Sequence, residues 1–334
     1  DQFGSAYSAP SIGDITGDGI PEIVWATIAN LYAFDTVGNL LPGFPIPSGY
    51  FGGYEWRSIP TLADLNDDGK DEIIIGGQDF FSTSAPIYVY EYNGNEPSLM
   101  TGWPQEADAS GGMYSSVSVA DIDNDEELEL VAGVWTKAYA WNTDGTHVQG
   151  WENGVILAIP IDGATTNGAG GSKSSSQPAI ADIDFDGDLE IIIASNVLQH
   201  DGTRYPGWEN GKLEAIGSIS AAVGDLDLDP ENGLEIVLGK YAWHADGSEY
   251  IGFPLPVPIE NSDMGSGVIG DCGSLSPTPL LHPTSLDILG TTKFSDDDPG
   301  LLGFGGHEPE MINGYPKSLY GEAGDVGAPV IGDF

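Results

Sequence analysis

The stretch Asp182-Ile183-Asp184-Phe185-Asp186-Gly187-Asp188-Leu189-Glu190 places five carboxylates and one glycine within nine residues. Acids at positions 1, 3 and 5 of such a loop converge their oxygens on one point. Glycine at position 6 allows the sharp turn, and position 7 offers its carbonyl. The closing carboxylate, Glu190, stands at position 9 and opens the β-branched run Ile191-Ile192-Ile193. The loop therefore leads into a strand and not into the exiting helix of an EF-hand.

The lead-in to this loop, Ser176-Gln177-Pro178-Ala179-Ile180-Ala181-Asp182, returns along the chain. Its copies are Ser8-Ala9-Pro10-Ser11-Ile12-Gly13-Asp14, Ser58-Ile59-Pro60-Thr61-Leu62-Ala63-Asp64, Ser115-Ser116-Val117-Ser118-Val119-Ala120-Asp121 and the longer Ser218-Ile219-Ser220-Ala221-Ala222-Val223-Gly224-Asp225. Each runs through an acid-rich loop into Glu22-Ile23-Val24, Glu72-Ile73-Ile74, Glu129-Leu130-Val131 or Glu235-Ile236-Val237. The leading aspartates are spaced 50, 57, 61 and 43 residues apart. A final copy, Gly327-Ala328-Pro329-Val330-Ile331-Gly332-Asp333, lies 108 residues after Asp225, which leaves room for one degenerate unit. Ser276-Pro277-Thr278-Pro279-Leu280-Leu281 followed by Leu286-Asp287-Ile288-Leu289 fits that unit, with the acidic loop lost.

Within a unit the sequence reads as four short strands. The first two flank the acidic loop, and the third is aromatic, as in Leu31-Tyr32-Ala33-Phe34, Ile87-Tyr88-Val89-Tyr90 and Ala138-Tyr139-Ala140-Trp141. Asp144-Gly145, Asp201-Gly202 or Asp246-Gly247 then reverses the chain, as hairpins prefer. The fourth strand is expected to end in the step Gly43-Phe44-Pro45, Gly102-Trp103-Pro104, Gly150-Trp151, Gly207-Trp208, Gly252-Phe253-Pro254 or Gly314-Tyr315-Pro316. Four-stranded units of ~40 to 50 residues, repeated six or more times, mean a β-propeller. The expected fold class is all-β, a β-propeller of four-stranded blades forming one domain over 1–334, seven-bladed with the seventh blade incomplete. Its units fall at 8–47, 58–104, 115–151, 176–208 and 218–254, with a degenerate unit at 275–316 and a partial one at 327–334. An open ring exposes sheet edges, so further chain or another subunit is expected to complete the last blade.

The acidic loops read as metal sites. Asp182, Asp184, Asp186, Asp188 and Glu190 form the most complete set, and Asp64, Asn66, Asp68, Lys70 and Glu72 keep the pattern around Gly69. In the first loop Asp14, Asp18, Ile20 and Glu22 accompany Thr16, which removes a charge at position 3. Asp121, Asp123, Asp125, Glu127 and Glu129 are all present, although Glu126 replaces the turn glycine. Asp225, Asp227 and Asp229 are followed by a two-residue insertion before Glu235. Ile20, Lys70, Glu127 and Asp188 contribute through the carbonyl of position 7. Hard oxygen donors without cysteine or histidine select Ca²⁺ over zinc or copper, so up to five Ca²⁺ sites are expected. A solvated Asp-Gly turn would look similar once, but five in register do not.

These motifs resemble the FG-GAP repeats of integrin α-subunit propellers and their secreted bacterial and archaeal relatives, over nearly the whole chain. The resemblance implies a Ca²⁺-stabilised propeller, usually of seven blades, used extracellularly for adhesion or as a scaffold. The degenerate sixth unit and the cut-off seventh depart from it.

Composition agrees. Apolar residues make up 40% of 334 and the mean hydropathy is -0.11, with no apolar run of the ~18 residues a spanning helix needs. The 48 glycines and 23 prolines punctuate the chain too often for long helices. With 52 acids, 9 bases and a formal charge of -43, the surface repels phosphate backbones and anionic lipid. Nucleic acid and membrane insertion are thus not expected, whereas cations are attracted. Cys272 is alone, so no internal disulfide exists, and bound metal is the expected substitute staple. Without an initiator methionine or signal-peptide pattern at Asp1, the chain is expected to be a processed product or a piece of something longer. The lack of an Asn-x-Ser/Thr sequon favours a prokaryotic source.

No catalytic constellation emerges. His147, His200, His244, His282 and His307 are scattered, and His200 and His244 read as turn residues. Neither a nucleophile elbow, a His-Glu-x-x-His motif nor a P-loop occurs. Some polysaccharide lyases use similar calcium-loaded propellers, so a carbohydrate-active lyase or lectin is the alternative. A lyase should set Arg or Lys beside a substrate carboxylate, and only 9 basic residues exist. Strands that alternate in direction put all acidic loops on one face and the longer insertions at 49–56, 78–81, 112–114, 152–175 and 255–274 on the other. Recognition concentrates in such loops, so Tyr50, Phe51, Tyr54, Trp56, Phe80 and Phe81 are the expected contacts for a protein or glycan at the cell surface. Trp103, Trp151 and Trp208 recur with the repeat and read as structural.

Overall fold

A computed structural model describes residues 8–254, apart from 49–53, 57, 80–83, 109–112, 114, 135, 159–175, 213–219, 228 and 230, together with strands at 267–270, 287–295, 298–305 and 317–318. The described elements are all strands, and every pairing between them is antiparallel. The first sheet runs in order β1 (Ser11–Gly13), β2 (Glu22–Ala26), β3 (Asn30–Phe34) and β4 (Ile46–Pro47). The third repeats this plan with β11 (Ser118–Ala120), β12 (Glu129–Val134), β13 (Lys137–Asn142) and β14 (Val155–Ile156). Three strands each make the fourth sheet, β15 (Ala179–Ala181), β16 (Glu190–Ile193) and β17 (Asn196–Leu198), and the fifth, β18 (Ala222–Gly224), β19 (Glu235–Leu238) and β20 (Tyr241–Trp243). In both, the fourth strand is represented among the described residues by a single bridge, Leu198 to Arg204 and Trp243 to Glu249.

The second sheet departs from four strands. Its long strands β7 (Glu72–Asp79) and β8 (Ser84–Tyr92) pair with β6 (Thr61–Ala63) and β9 (Pro97–Leu99), and their far ends add β5 (Tyr54–Trp56) and β10 (Gln105–Asp108). Gly76 lets this extension pass under Met113, whose Sδ lies 2.6 Å from where a Cβ would stand. The sixth sheet is β21 (Gly267–Gly270), β22 (Asp287–Ser295), β23 (Asp298–Gly305) and β24 (Lys317–Ser318). Its first strand therefore lies upstream of the Ser276 stretch read from the sequence, which falls outside the described residues. Gly267-Val268-Ile269-Gly270 carries the same alternation as the other first strands, and its register sets Val268 on Leu289 and Ile269 on Ile288.

First strands lie side by side in the pairs β1 and β6, β11 and β15, β15 and β18, and β18 and β21, an arrangement consistent with propeller blades around an axis. Ser11 Oγ donates to Pro60 O, and Thr61 and Ser118 donate in the same way to Val117 and Pro178, 2.6 Å each. At the next turn Ala179 has no hydroxyl, and the Gln177 N–H donates to Ser220 Oγ instead, 2.9 Å. The core is a set of apolar layers between successive sheets. Val24 and Leu31 meet Ile73 and Ile75; Ile74 and Val89 meet Leu130 and Trp141; Val131 and Trp151 meet Ile191 and Leu198; Ile192 and Trp208 meet Ile236 and Trp243.

The Gly-aromatic step does not end the fourth strand, as expected, but interrupts it: the step follows the bridge partners Leu40, His147, Arg204 and Glu249 and strand β9, and precedes β4, β10 and β14. Gly43, Gly102, Gly150 and Gly207 have φ of 80 to 96° and close a tight turn, Trp151 N–H donating to Val148 O, for example. A left-handed third residue is what a type II turn demands of glycine. The tryptophans then clamp the following sheet: Trp103, Trp151 and Trp208 Nε1 donate to Thr143, His200 and Ala245 O at 2.8 to 2.9 Å.

Candidate metal centre

The five acidic loops share one backbone construction. The position-2 side chain (Ile15, Leu65, Ile122, Ile183 or Leu226) is buried in the apolar layer. Its N–H donates to the closing glutamate, at 3.1 Å for Glu22, 2.8 Å for Glu72, 2.7 Å for Glu129, 3.0 Å for Glu190 and 2.7 Å for Glu235. All five glutamates are buried. Each thus has one oxygen fixed on the backbone, which aims the other into the loop. The position-1 aspartate accepts loop N–H groups, as Asp182 does from Asp186 and Gly187 and Asp14 from Gly17 and Gly19. Asp18, Asp68, Asp125, Asp186 and Asp229 at position 5 each accept the N–H of position 7, at 2.8 to 3.1 Å.

In three loops the carboxylate oxygens come within 4.8 Å of one another: Asp121, Asp123 and Glu129; Asp182, Asp184 and Glu190; Asp225, Asp227 and Glu235. These triads could hold a metal ion. They unite positions 1 and 3 with the closing glutamate, so the loops with Thr16 or Asn66 at position 3 form no such all-acid triad. Asn66 Nδ2 instead donates to Glu72 Oε1, 3.2 Å. The other expected ligands, Asp18, Asp68, Asp125, Asp186 and Asp229 with Ile20, Lys70, Glu127 and Asp188, ring the loops as turn residues.

Electrostatics favour a cation here. Burial pushes the carboxyls of Glu72, Glu129 and Glu190 up to about 7, with neighbouring loop aspartates adding to it and the position-2 N–H opposing it. Glu22 and Glu235 are raised by the same burial. A divalent cation would compete with protons for such buried carboxylates and neutralise them.

Three partners of these loops escape the sequence reading. His244 Nδ1 lies 2.9 Å from Glu235 Oε1, the oxygen that faces the fifth loop. Tyr205 Oη donates to Asp184 Oδ2, 2.7 Å, and Asn232 Nδ2 donates to Asp227 Oδ2, 3.1 Å. An open pocket of ≈ 480 Å³ between the fourth and fifth sheets is lined by Asp184, Tyr205, Asn232 and His244. The one available signal was positional, since His200 and His244 both follow the third strand of their unit.

The expected recognition residues fare differently. Trp56 is 5% exposed and packs edge-on against Tyr88 at 4.9 Å, so it is a core residue and not a surface contact. Pairing of β5 with the end of β7 carries it inward. Tyr54 lies on β5, while Tyr50, Phe51, Phe80 and Phe81 fall outside the described residues.

The family model of the FG-GAP-like repeat matches residues 64–132, a stretch that holds the second and third acidic loops. No curated protein matches the chain. Among solved structures, the exotype rhamnogalacturonan lyase YesX is similar with a TM-score of 0.59 at 18% identity, covering 92% of this chain and 57% of its own. The Bacillus licheniformis rhamnogalacturonan lyase PL11 is similar with a TM-score of 0.54 at 18% identity, over 92% and 57%. The V. cholerae biofilm matrix protein Bap1 follows at 0.52 and 16% identity, over 85% of this chain and 42% of its own. The chain thus spans about half the length of these proteins. At such identities the likeness is one of fold. Among the described residues no helix is long and apolar enough to cross a membrane.

Proposed function

We propose that the chain is a calcium-stabilised extracellular β-propeller that serves as an adhesion, scaffold or surface-assembly module, binding protein or glycan. The observation that carries this reading is the loop construction, in which a buried glutamate and two aspartates face one point in three loops in register. Oxygen-only donors at this spacing suit Ca²⁺. The fold shared with a biofilm matrix protein supports a surface role. The likeness to rhamnogalacturonan lyases supports a carbohydrate-active propeller as the second reading. A charge of -43 favours a neutral, cationic or calcium-bridged partner. With Trp56 in the core, the proposed contacts are Tyr50, Phe51, Tyr54, Phe80 and Phe81.

The metal half is tested by melting the protein in EDTA and in Ca²⁺. Each site adds about 2.7 kcal/mol at a hundredfold excess of cation over its Kd, so Tm should rise clearly. Asp184→Ala should remove more of that rise than Thr16→Ala. An unchanged Tm would sink the proposal. The binding half is tested on immobilised neutral and acidic glycans and surface proteins, with Phe80→Ser/Phe81→Ser as the weakened variant. Intact capture supports the module, and release of cut saccharide supports the lyase. If the variant melts far lower yet captures equally, the recognition face has been misplaced.

A further inference from the structure

The fourth and fifth acidic loops are joined through the backbone. The Leu234 N–H, next to the closing Glu235 of the fifth loop, donates to Ile183 O of the fourth at 2.8 Å. The Ile183 N–H in turn donates to Glu190, the closing carboxylate of its own loop, at 3.0 Å. Ile183 therefore stands between two triads, its N–H on one closing glutamate and its C=O on the segment that leads into the other. Its side chain is fully buried and shares one apolar layer with Leu234, Tyr205 and Ala245.

The insertion in the fifth loop makes this contact. Gly233 has a φ of 81°, and a Cβ there would collide with Ile183 O and stand 3.0 Å from Ala245 Cβ, so the segment lies flush on the fourth loop. Asn232, from the same segment, donates Nδ2 to Asp227 Oδ2 at 3.1 Å. The piece that rests on the fourth loop thus also holds a carboxylate of the fifth. Other neighbouring loops are joined differently. The Asp71 N–H donates to Asp14 O at 2.8 Å, but the first two loops form no all-acid triad. Between the third and fourth loops Asn124 Nδ2 reaches Gly187 O at 3.3 Å and Asp188 Oδ1 at 3.0 Å, an exposed side-chain contact that touches neither closing glutamate.

Resting on the calcium reading above, we propose that Ile183, Asn232 and Gly233 form a strut that makes the fourth and fifth sites one coupled pair, each ion tightening the other site. These three are positioning residues. With Glu190 committed to a cation, the Ile183 backbone that bonds it is fixed as well. The Ile183 carbonyl then holds Leu234, and Glu235 beside it is in place for the second ion. The cost of ordering the segment falls on the first ion and is spared the second.

Calcium titrations of the full chain, followed by amide NMR, test this loop by loop. The amides of Ile183, Leu226 and Ile122 donate to Glu190, Glu235 and Glu129, so they report the fourth, fifth and third loops. Asp184→Ala should raise the calcium midpoint at Leu226 by roughly 5–150-fold, and Asp227→Ala should raise that at Ile183 by the same factor, because coupling is reciprocal. Ile122 should not move in either. Gly233→Ala, which keeps every carboxylate, should weaken both sites and abolish the cross effect. A Leu226 midpoint unchanged in Asp184→Ala would overturn the coupling and leave the calcium sites standing. An equal shift at Ile122 would overturn it in favour of a general loosening. A parent whose three amides ignore calcium would sink the metal reading and the coupling with it. Should the alanine variants fail to fold, the parent decides: Ile183 and Leu226 titrating together, and more steeply than Ile122, supports the pair, and separate midpoints refute it.

Discussion

Glu126 has a φ of 74°, in the left-handed region that Gly19, Gly69 and Gly187 occupy at the same loop position. An L side chain there costs roughly 1–2 kcal/mol, and the loop tolerates it because Asp121 accepts the Glu126 N–H, at 3.0 Å, and fixes the turn. Glu126→Gly should relieve that strain, less the ~0.4–1 kcal/mol of extra freedom that glycine gives the unfolded chain. A rise in urea midpoint at unchanged slope, largest without added cation, is expected, because the substitution also removes a carboxylate from the cluster. The strain was readable from the sequence, since the glycine is missing from an otherwise complete motif. The attachment of His244 to Glu235 was not, because strand and turn separate them.

Between sheets, the Gly-Trp element holds neighbours together. A Cβ on Gly150 would lie 2.3 Å from Asp201 O and one on Gly102 1.9 Å from Asp144 O, both backbone atoms of the next sheet's turn. Gly150→Ala combines this clash with a φ of 96°, so it should cost well over the ~1 kcal/mol of an incompatible glycine replacement. Trp151→Phe leaves His200 O without its 2.9 Å donor, a loss of about 1–3 kcal/mol for an orphaned carbonyl. Urea melts of the two variants check both values, and a Trp151→Phe protein as stable as the parent would show that the clamp is packing alone. Recurrence in the sequence marked these residues as structural, but the receiving carbonyls lie some 40 to 50 residues downstream.

For the molecule as a whole, stability should depend on pH through the buried glutamates. Glu72, Glu129 and Glu190 are raised to about 7, above their unfolded value of 4.5. Their contribution is fully present below ~4.5 and is lost as pH rises through about 7. Metal-free protein should therefore lose Tm steadily over that window, and saturating Ca²⁺ should flatten the decline by taking the place of the protons. Asp35, Asp144, Asp201 and Asp246, held low by their turn hydrogen bonds, stay ionised throughout and do not add to it. Surface repulsion from a charge of -43 acts in the same direction, but monovalent salt screens it. A decline that vanishes in salt alone would assign the effect to the surface.

The sequence by itself determined the all-β class, the repeat and the composition of the acidic loops, because these rest on local chemistry: turn glycines, branched strands and carboxylates at fixed offsets. Tertiary structure alone decided that Trp56 is core, that the second sheet takes two extra strands, that the sixth begins at Gly267, and that Tyr205 and His244 reach the acidic loops. Each of those depends on which strand lies beside which. Register between segments tens of residues apart is set by packing against the neighbouring sheet, and no local pattern encodes that neighbour.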